Sequence, residues 1–233
     1  MTTSPIWKHR LFIILRISSK TLYKLLGKTN ERIQPLEFFS VKAGYHHAAN
    51  AESFDSTCSS DEFQRSVYDL ADSFALKFDD ASILDVGCGS GYKLVHMLGQ
   101  YQTTGIEVEP VYSWLLQKYP DRKWLPYQSI GMAELNADIV ICSDVIEHIK
   151  NPDELMDFLK KINFRYLILS TPERDKICGK NDYGPPENTS HYREWNTSEF
   201  KLYVSRWFNI HEHHVFNDKS ISQVAVCSKK PAS

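Results

Sequence analysis

The sequence lacks the features that mark secreted, membrane-spanning and general nucleic-acid-binding proteins. Its five cysteines are scattered and none forms a C-x-x-C pair, so reduced thiols are favoured over a disulfide framework or a zinc site. The longest unbroken apolar run, Leu11 to Leu15, is far too short to span a bilayer. The formal net charge of −2 argues against a general nucleic-acid binder. These absences favour a cytoplasmic protein whose 233 residues suffice for one domain with an appendage.

Acidic residues are also absent from the first 30 positions, where the basic residues are Lys8, Arg10, Arg16, Lys20, Lys24 and Lys28. Residues 5–28 have a helical pattern that places apolar and basic side chains on different faces. A basic amphipathic helix favours peripheral contact with a membrane surface, although a helix packed on the domain or a partly ordered tail explains the same pattern. No clear periodicity follows between residues 31 and 60. We therefore predict that residues 1–60 form an N-terminal extension to the domain.

The central feature of the remaining sequence is a glycine-rich turn between two apolar runs, each of which has an acidic residue at or near its end. The motif D-x-G-x-G-x-G begins at Asp85, and a second apolar run ends at Glu107. A dinucleotide fingerprint would need a glycine where Tyr92 stands. Glycines at such a turn let a ligand approach the backbone closely, because no Cβ stands in the way. The pattern predicts a strand, a tight turn, a crossover helix and a second strand around a ligand site.

This pair of motifs resembles the class I S-adenosylmethionine-dependent methyltransferases, in which a strand ends in D/E-x-G-x-G-x-G and the next strand ends in an acid. Residues 144–148, D-V-I-E-H, resemble a branch that includes the ubiquinone-biosynthesis O-methyltransferases. Residues 191–195, H-Y-R-E-W, resemble a segment of many small-molecule and glycan methyltransferases. The resemblance covers about residues 61–229 and implies a methyltransferase domain over residues 61–233. It also implies S-adenosyl-L-methionine as the cofactor.

The hydrophobic patterns predict alternating strands and helices in the order of that family. Predicted strands cover residues 82–86, 103–107, 123–127, 138–142, 165–171, 208–216 and 221–228. Predicted helices cover residues 61–78, 92–100, 111–119, 151–162 and 198–205, with a long loop over residues 173–196. The resemblance implies an α/β fold with a Rossmann-like, doubly wound, seven-stranded sheet. That sheet would be mostly parallel, with an antiparallel C-terminal hairpin strand.

The resemblance further implies a set of cofactor-binding residues. The backbone of Gly87, Gly89 and Gly91 would line the amino-acid half of the cofactor. Asp85 would orient the turn and hold the ammonium directly or through water, while Glu107 would accept both ribose hydroxyls. Gln128 stands near the place where many relatives have an acid for the adenine amino group, and its amide oxygen can accept a hydrogen bond. The remaining predicted cofactor contacts are Cys88, Val108 and Ser143.

Methyl transfer to a hydroxyl normally needs a proton acceptor, and three residues are candidates. His148 is the leading candidate, His191 the second and Asp144 the third. The long loop and the residues before the first motif are predicted to approach the acceptor through Tyr45, Tyr192, Arg193 and Trp195. Glu147 and His148 offer two adjacent metal ligands, which are too few to infer a metal, so no metal site is predicted.

The favoured function is S-adenosylmethionine-dependent O-methylation of a small molecule or of a glycan or lipid-linked intermediate. Residues 143–146, S-D-V-I, replace the N/D-P-P-Y/F signature of amino-group methylation after the fourth strand, which favours oxygen and leaves carbon open. Nucleic acid is not expected as the substrate. The alternative is a non-catalytic protein that binds S-adenosylmethionine or acts as a scaffold. The missing acid near Gln128 supports that alternative, and the intact glycine turn opposes it.

Overall fold

The computed structural model describes residues 36–52, 57, 63–130, 135–217 and 219–231. The predicted amphipathic helix over residues 5–28, together with its proposed membrane contact, lies outside these ranges. Within them, no helix combines the length and the apolar character that crossing a membrane requires.

Seven strands form a single sheet in the described part of the chain. They are β1 (Ser82–Val86), β2 (Gln102–Glu107), β3 (Lys123–Pro126), β4 (Asn136–Ser143), β5 (Asn163–Pro172), β6 (Phe208–Asn217) and β7 (Ile221–Lys229). Their spatial order is β3-β2-β1-β4-β5-β7-β6. Strands β1 to β5 pair in parallel, whereas β7 runs antiparallel to both β5 and β6. This arrangement confirms the predicted doubly wound sheet with an antiparallel hairpin at its C-terminal edge.

The side-chain alternation of the strands places a hydrophobic core on each face of the sheet. Ile83 and Ile139 point to a core that includes helix α1 (Arg65–Ala75), α2 (Tyr92–His96) and α3 (Val111–Lys118). Their neighbours Leu84 and Val140 point to a second core that includes α4 (Pro152–Lys161) and α6 (Thr197–Trp207). Since both faces are covered, the central strands are almost continuously apolar.

Several helices differ from the sequence prediction. The described part of the helix before β1 runs from Arg65 to Ala75, within the predicted range of residues 61–78. Helix α2 ends at His96, because residues 97–100 form the turns that lead into β2. The long loop contains a short helix, α5 (Arg174–Ile177), that was not predicted. Helix α6 begins one residue before its predicted start and is capped by Asn196, since the Asn196 side chain accepts the backbone N–H of Glu199.

A buried ion pair fastens the loop and the segment of residues 36–52 to the domain. Arg174 is fully buried and donates two hydrogen bonds to Glu199, at 2.7 and 2.9 Å. The same carboxylate accepts the backbone N–H of Lys42 at 3.0 Å. Nearby, the indole N–H of Trp195 donates to the carbonyl of Phe39 at 2.7 Å. These contacts join three parts of the chain that are far apart in sequence.

We predict that Arg174→Ala lowers the free energy of unfolding by about 3–5 kcal/mol, because it leaves the Glu199 carboxylate buried without its cation. Urea denaturation followed by circular dichroism measures the change. The control is Arg65→Ala, which removes an exposed contact of 3.8 Å with Asp69. That control is expected to cost about 0.5 kcal/mol or less. Equal losses in the two variants would contradict the role assigned to the buried pair.

Candidate active site

A cavity of about 590 Å³ opens at the carboxyl ends of the central strands. Its wall includes Val86 at the end of β1, Glu107 at the end of β2 and Ser143 at the end of β4. Strands β1 and β4 are neighbours at the point where the strand order reverses, which is where ligands bind in open α/β sheets. The volume lies in the range that is typical of small-molecule sites.

The glycine turn after β1 forms one wall of this cavity, as predicted. Two of its three glycines line the cavity, and the third has a packing role. Gly87 and Gly89 line the cavity in left-handed conformations, with φ of 76° and 54°. A Cβ on Gly87 would lie 2.5 Å from Val145 Cγ2, so only glycine fits there. Gly91 does not line the cavity. A Cβ at that position would lie 2.6 Å from Trp124, so Gly91 instead lets α2 and β3 pack closely.

Glu107 faces the cavity with its carboxylate held by the backbone on both sides. One oxygen accepts the N–H of Gly89 and the other accepts the N–H of Val108, each at 2.8 Å. Burial raises the pKa of Glu107, and these two hydrogen bonds oppose that rise. Each oxygen keeps a second lone pair for a ligand, so the carboxylate is oriented to accept from two donors at once.

Asp85 lies behind the glycine turn and is fully buried, so it is not among the residues of the cavity wall. Its Oδ2 accepts the hydroxyl of Tyr68 at 2.8 Å, whereas its Oδ1 has no hydrogen-bond partner among the described residues. Burial raises the pKa of Asp85 to about 7, against the lowering effects of the Tyr68 hydrogen bond and the nearby Lys93. Tyr68 and Lys93 line the cavity themselves, and neither is part of a motif in the sequence.

The other predicted cofactor contacts divide into two groups. Cys88, Val108 and Ser143 line the cavity. Gln128 does not, because it is exposed on a 3₁₀ turn over Tyr127–Ser129 that follows β3. Its neighbour Tyr127 lines the cavity instead and packs edge-on against Phe158, with ring centroids 5.2 Å apart. At the end of β3 the cavity is therefore lined by the aromatic Tyr127 and not by the polar Gln128.

Asp144 lies on the cavity wall in a left-handed conformation, with φ of 51°. Its carboxylate accepts the hydroxyls of Ser170 and Ser222 at 2.6 and 3.1 Å, and the side-chain amide of Gln64 at 3.2 Å. Burial raises the pKa of Asp144, while these three donors act in the opposite direction. So many donors fix the carboxylate in place, which suits an electrostatic role better than a mobile base.

His148 and His191, the two leading proton-acceptor candidates, lie together with ring centroids 4.7 Å apart. His148 lines the cavity and its Nδ1 donates to the carbonyl of Ser190 at 2.9 Å. Burial and the neighbouring His191 lower the pKa of His148 to about 4, so the ring is neutral at pH 7 and binds a proton weakly. His191 is buried behind it, with Nδ1 2.6 Å from Glu194 Oε1, and does not reach the cavity wall.

Of the four predicted acceptor contacts, Tyr192 lines the cavity and three do not. Trp195 is fully buried and stacks on Tyr203, with ring centroids 5.7 Å apart. The guanidinium of Arg193 donates to the carbonyls of Ile149 and Lys150. The hydroxyl of Tyr45 accepts the N–H of Glu194 at 3.0 Å. The expectation that Trp195, Arg193 and Tyr45 contact the acceptor is therefore corrected, because each is committed to an interior contact.

The charges around the cavity favour a cationic ligand. Its wall carries four carboxylates, from Glu52, Glu107, Asp144 and Glu154, and one ammonium, from Lys93, among the residues that the structure describes. Asp85 adds a further acid directly behind the glycine turn. S-Adenosylmethionine bears a sulfonium and an ammonium, so the residues present fit this group both in charge and in the close backbone approach at Gly87.

This fold and cavity define a class I methyltransferase, and comparison with known proteins gives the family. The family model described as a methyltransferase domain matches residues 61–224. The chain belongs to this family, which confirms the predicted class of S-adenosylmethionine-dependent methyltransferases. S-Adenosyl-L-methionine is the cofactor of that class.

Two curated relatives share parts of the sequence, and both carry the name tRNA U34 carboxymethyltransferase. The protein from Helicobacter acinonychis is 26% identical in an alignment of length 133 that covers 49% of this chain and 51% of that protein. The protein from Aliivibrio salmonicida is 35% identical in an alignment of length 89 that covers 34% of this chain and 28% of that protein. The chain thus spans about half the length, or less, of the curated relatives it matches.

Solved structures show the same fold at low sequence identity. The 1,6-didemethyltoxoflavin-N1-methyltransferase of Burkholderia thailandensis, solved with S-adenosylhomocysteine, has a TM-score of 0.56 and 19% identity, covering 73% of this chain and 80% of that one. The cyclase SpnF has a TM-score of 0.58 and 13% identity, covering 81% of this chain and 87% of that one. Since the fold occurs in proteins named for different reactions, the acceptor must be argued from the site.

We predict that Asp85→Asn stabilises the protein at pH 8 by about 2 kcal/mol, because a neutral amide avoids burying a charge. The folded-state pKa of Asp85 is raised, so the wild type itself gains stability as the pH falls from 8 through 7 towards 4. The advantage of the variant should therefore be largest at pH 8 and vanish near pH 4. Thermal unfolding across this pH range measures the difference.

Asp138→Asn is the matched control for this prediction. The hydrogen bonds from the backbone and side chain of Ser82 hold the pKa of Asp138 below its usual value. Asp138→Asn should therefore lower the free energy of unfolding at pH 8, whereas Asp85→Asn should raise it. A pH-independent gain in Asp85→Asn would contradict a buried, titrating Asp85.

Proposed function

We propose that this protein transfers the methyl group of S-adenosyl-L-methionine to a hydroxyl of a small molecule or of a glycan or lipid-linked intermediate. One observation carries the proposal. The glycine turn with Glu107 and the acceptor-side residues Asp144, His148 and Tyr192 line one continuous cavity. We call the glycine turn with Glu107 the first wall, and Asp144, His148 and Tyr192 the second wall. A cofactor on the first wall and an acceptor against the second would share the cavity.

The first wall has what binding of the cofactor requires. The backbone at Gly87 and Gly89 admits close approach, and the carboxylate of Glu107 is oriented for the two ribose hydroxyls. The acids around the cavity, including Asp144, stabilise positive charge there. When bound, the cofactor supplies an already activated methyl group, so the protein contributes mainly alignment and proximity.

The second wall presents neutral hydrogen-bonding groups to the acceptor. His148 lines the cavity, and because its Nδ1–H donates to the Ser190 carbonyl, the acceptor lone pair of the neutral ring is on Nε2. The backbone N–H of Tyr192 donates to the carbonyl of Glu147 at 2.8 Å, which fixes Tyr192 beside His148. A hydroxyl that donates to Nε2 would therefore be held in one orientation. Oxygen also fits the S-D-V-I sequence after β4, where the signature of amino-group methylation is missing.

A nucleoside in transfer RNA is the second candidate acceptor, and the names of the two curated relatives favour it. In this case, the chain would transfer the methyl group of S-adenosylmethionine to a base that reaches the cavity. The acidic wall is unfavourable for phosphate groups, so the backbone of the RNA would have to lie outside it. If RNA is labelled in a transfer assay, the expectation that nucleic acid is not a substrate is wrong and this candidate takes its place.

We predict that Glu107→Gln weakens binding of S-adenosylmethionine about tenfold or more. Both carboxylate oxygens accept a backbone N–H, and an amide NH₂ would face one of those donors. Calorimetric titration of the full chain measures the affinity. The control is Glu109→Gln, since Glu109 is exposed, bonds to Ser113 and is not part of the cavity wall. Equal affinity in the two variants would contradict the assignment of Glu107.

Transfer itself is tested with methyl-labelled S-adenosylmethionine, offered in parallel with a metabolite extract, a membrane extract and purified total tRNA. We expect the label in a metabolite or lipid fraction and not in RNA. Label confined to tRNA would instead establish the second candidate. Tight cofactor binding without transfer to any fraction would favour the non-catalytic alternative.

A further inference from the structure

We propose that the hydroxyl oxygen of Tyr68 binds the ammonium group of S-adenosyl-L-methionine, and that Asp85 acts on the cofactor through Tyr68. Asp85 is fully buried and is not among the residues of the cavity wall, so a ligand in the cavity would not reach it directly. Tyr68 lines the cavity, and its hydroxyl donates to Asp85 Oδ2 at 2.8 Å. Tyr68 is therefore in contact with both the acid and the ligand space.

The direction of this hydrogen bond makes the Tyr68 oxygen an acceptor. An ionised carboxylate can only accept, so the hydroxyl proton is committed to Asp85. Among the described residues, the hydroxyl makes no second hydrogen bond, so its oxygen keeps its lone pairs. A hydroxyl whose proton is drawn towards a carboxylate is also a stronger acceptor, because neighbouring hydrogen bonds polarise one another. The oxygen therefore suits a cation that carries N–H donors.

The charge on Asp85 is incompletely stabilised by the protein itself. Its Oδ1 has no hydrogen-bond partner among the described residues, and burial raises its pKa to about 7. The Tyr68 hydrogen bond and Lys93 lower this pKa, whereas the nearby Glu107 raises it further. A cation at the Tyr68 oxygen would add stabilisation that the ionised carboxylate lacks.

The position of Tyr68 matches the amino-acid half of the cofactor. Tyr68 shares the cavity wall with Gly87 and Gly89, the turn at which that half is expected to bind. The same half also has a carboxylate, but a hydroxyl whose proton is committed to Asp85 has none to donate to it. The pair of Tyr68 and Asp85 therefore selects the ammonium and would fix which way round the amino-acid half lies.

The test compares S-adenosylhomocysteine with its analogue that lacks only the amino group, by calorimetric titration of the full chain at pH 8. We expect the wild type to bind S-adenosylhomocysteine about tenfold or more tightly than the analogue. Tyr68→Phe removes the hydroxyl and should bind the two ligands with equal affinity. Neither ligand carries a transferable methyl group, so the result is independent of the acceptor proposed above.

The matched control is Tyr101→Phe. Tyr101 also donates its hydroxyl to an aspartate, Asp72 at 2.7 Å, but neither of these residues lines the cavity. This variant should keep the wild-type preference for the ligand with the amino group. If Tyr68 had only a structural role, Tyr68→Phe would weaken both ligands equally and leave the preference unchanged. That result would overturn the proposal.

The role of Asp85 is tested by the pH dependence of the same titration. An ammonium favours the ionised acid, so binding should release a proton at pH 6, and the affinity should rise about tenfold between pH 6 and pH 8. Glu107 and Asp144 also have raised pKa values, so the comparison is with Asp85→Asn, which keeps both. Burial raises the pKa values of Cys88 and Cys142, so both stay neutral in this range. Asp85→Asn should lose this rise in affinity.

Asp85→Asn also covers the case in which Tyr68→Phe does not fold, which thermal unfolding shows. The variant removes a buried charge and is expected to be stable. Its amide can donate to the Tyr68 oxygen, so the preference for the ligand with the amino group should fall about tenfold. An unchanged preference in Asp85→Asn, or the same pH dependence as in the wild type, would overturn the proposal.

Discussion

The carboxylate of Glu107 is the constraint on which the cofactor side of this protein depends. It joins the end of β2 to the turn that follows β1, because it accepts the N–H groups of Gly89 and Val108 at once. A glycine-rich turn has many accessible conformations, and these two hydrogen bonds select one of them before any ligand arrives. Burial makes the charge on Glu107 costly, and the two donors offset that cost. The turn is therefore preorganised by the same acid that a ligand would use.

The acceptor side is held together by the loop between β5 and α6. The backbone carbonyl of Glu147 accepts the N–H of Tyr192, and its carboxylate accepts the hydroxyl of Thr171. Arg193 adds two hydrogen bonds to the carbonyls of Ile149 and Lys150. Thus the loop and the turn after β4 position each other, and the wall that an acceptor would meet is a composite of both.

The sequence was sufficient to predict the sheet and the position of a cavity beside the glycine turn. The alternation of short apolar runs with amphipathic segments predicts the strands and helices, and the spacing of Asp85, the glycines and Glu107 predicts a ligand site at the turn. These signals are local, because each depends on residues within one strand–turn–helix unit. The missed contacts Tyr68 and Lys93 have no such signal, since they reach the cavity only through the packing of α1 and α2.

The acceptor half was harder to predict for a related reason. The aromatic and polar residues near the end of the loop are typical of a substrate wall. However, Trp195 stacks on Tyr203 and Arg193 donates to two backbone carbonyls, and the sequence does not reveal these partners. The same limit applies to the contact between the two histidines. His148 follows β4, whereas His191 reaches it only through the fold of the loop.

The two ends of the loop over residues 173–196 are fastened to each other. The backbone N–H of Arg174 donates to the carbonyl of Trp195 at 3.0 Å, and the carboxylate of Glu173 accepts the N–H of Thr197 at 2.9 Å. A loop closed at its base can gain or lose residues at small cost, because the entropy of closure changes only slowly with length. Insertions or deletions between the two ends would therefore change what surrounds Tyr192, provided that the contacts of Tyr192 and Arg193 with the turn after β4 are kept. The sheet and the cofactor turn would stay as they are, so the length of this loop can vary without loss of the fold.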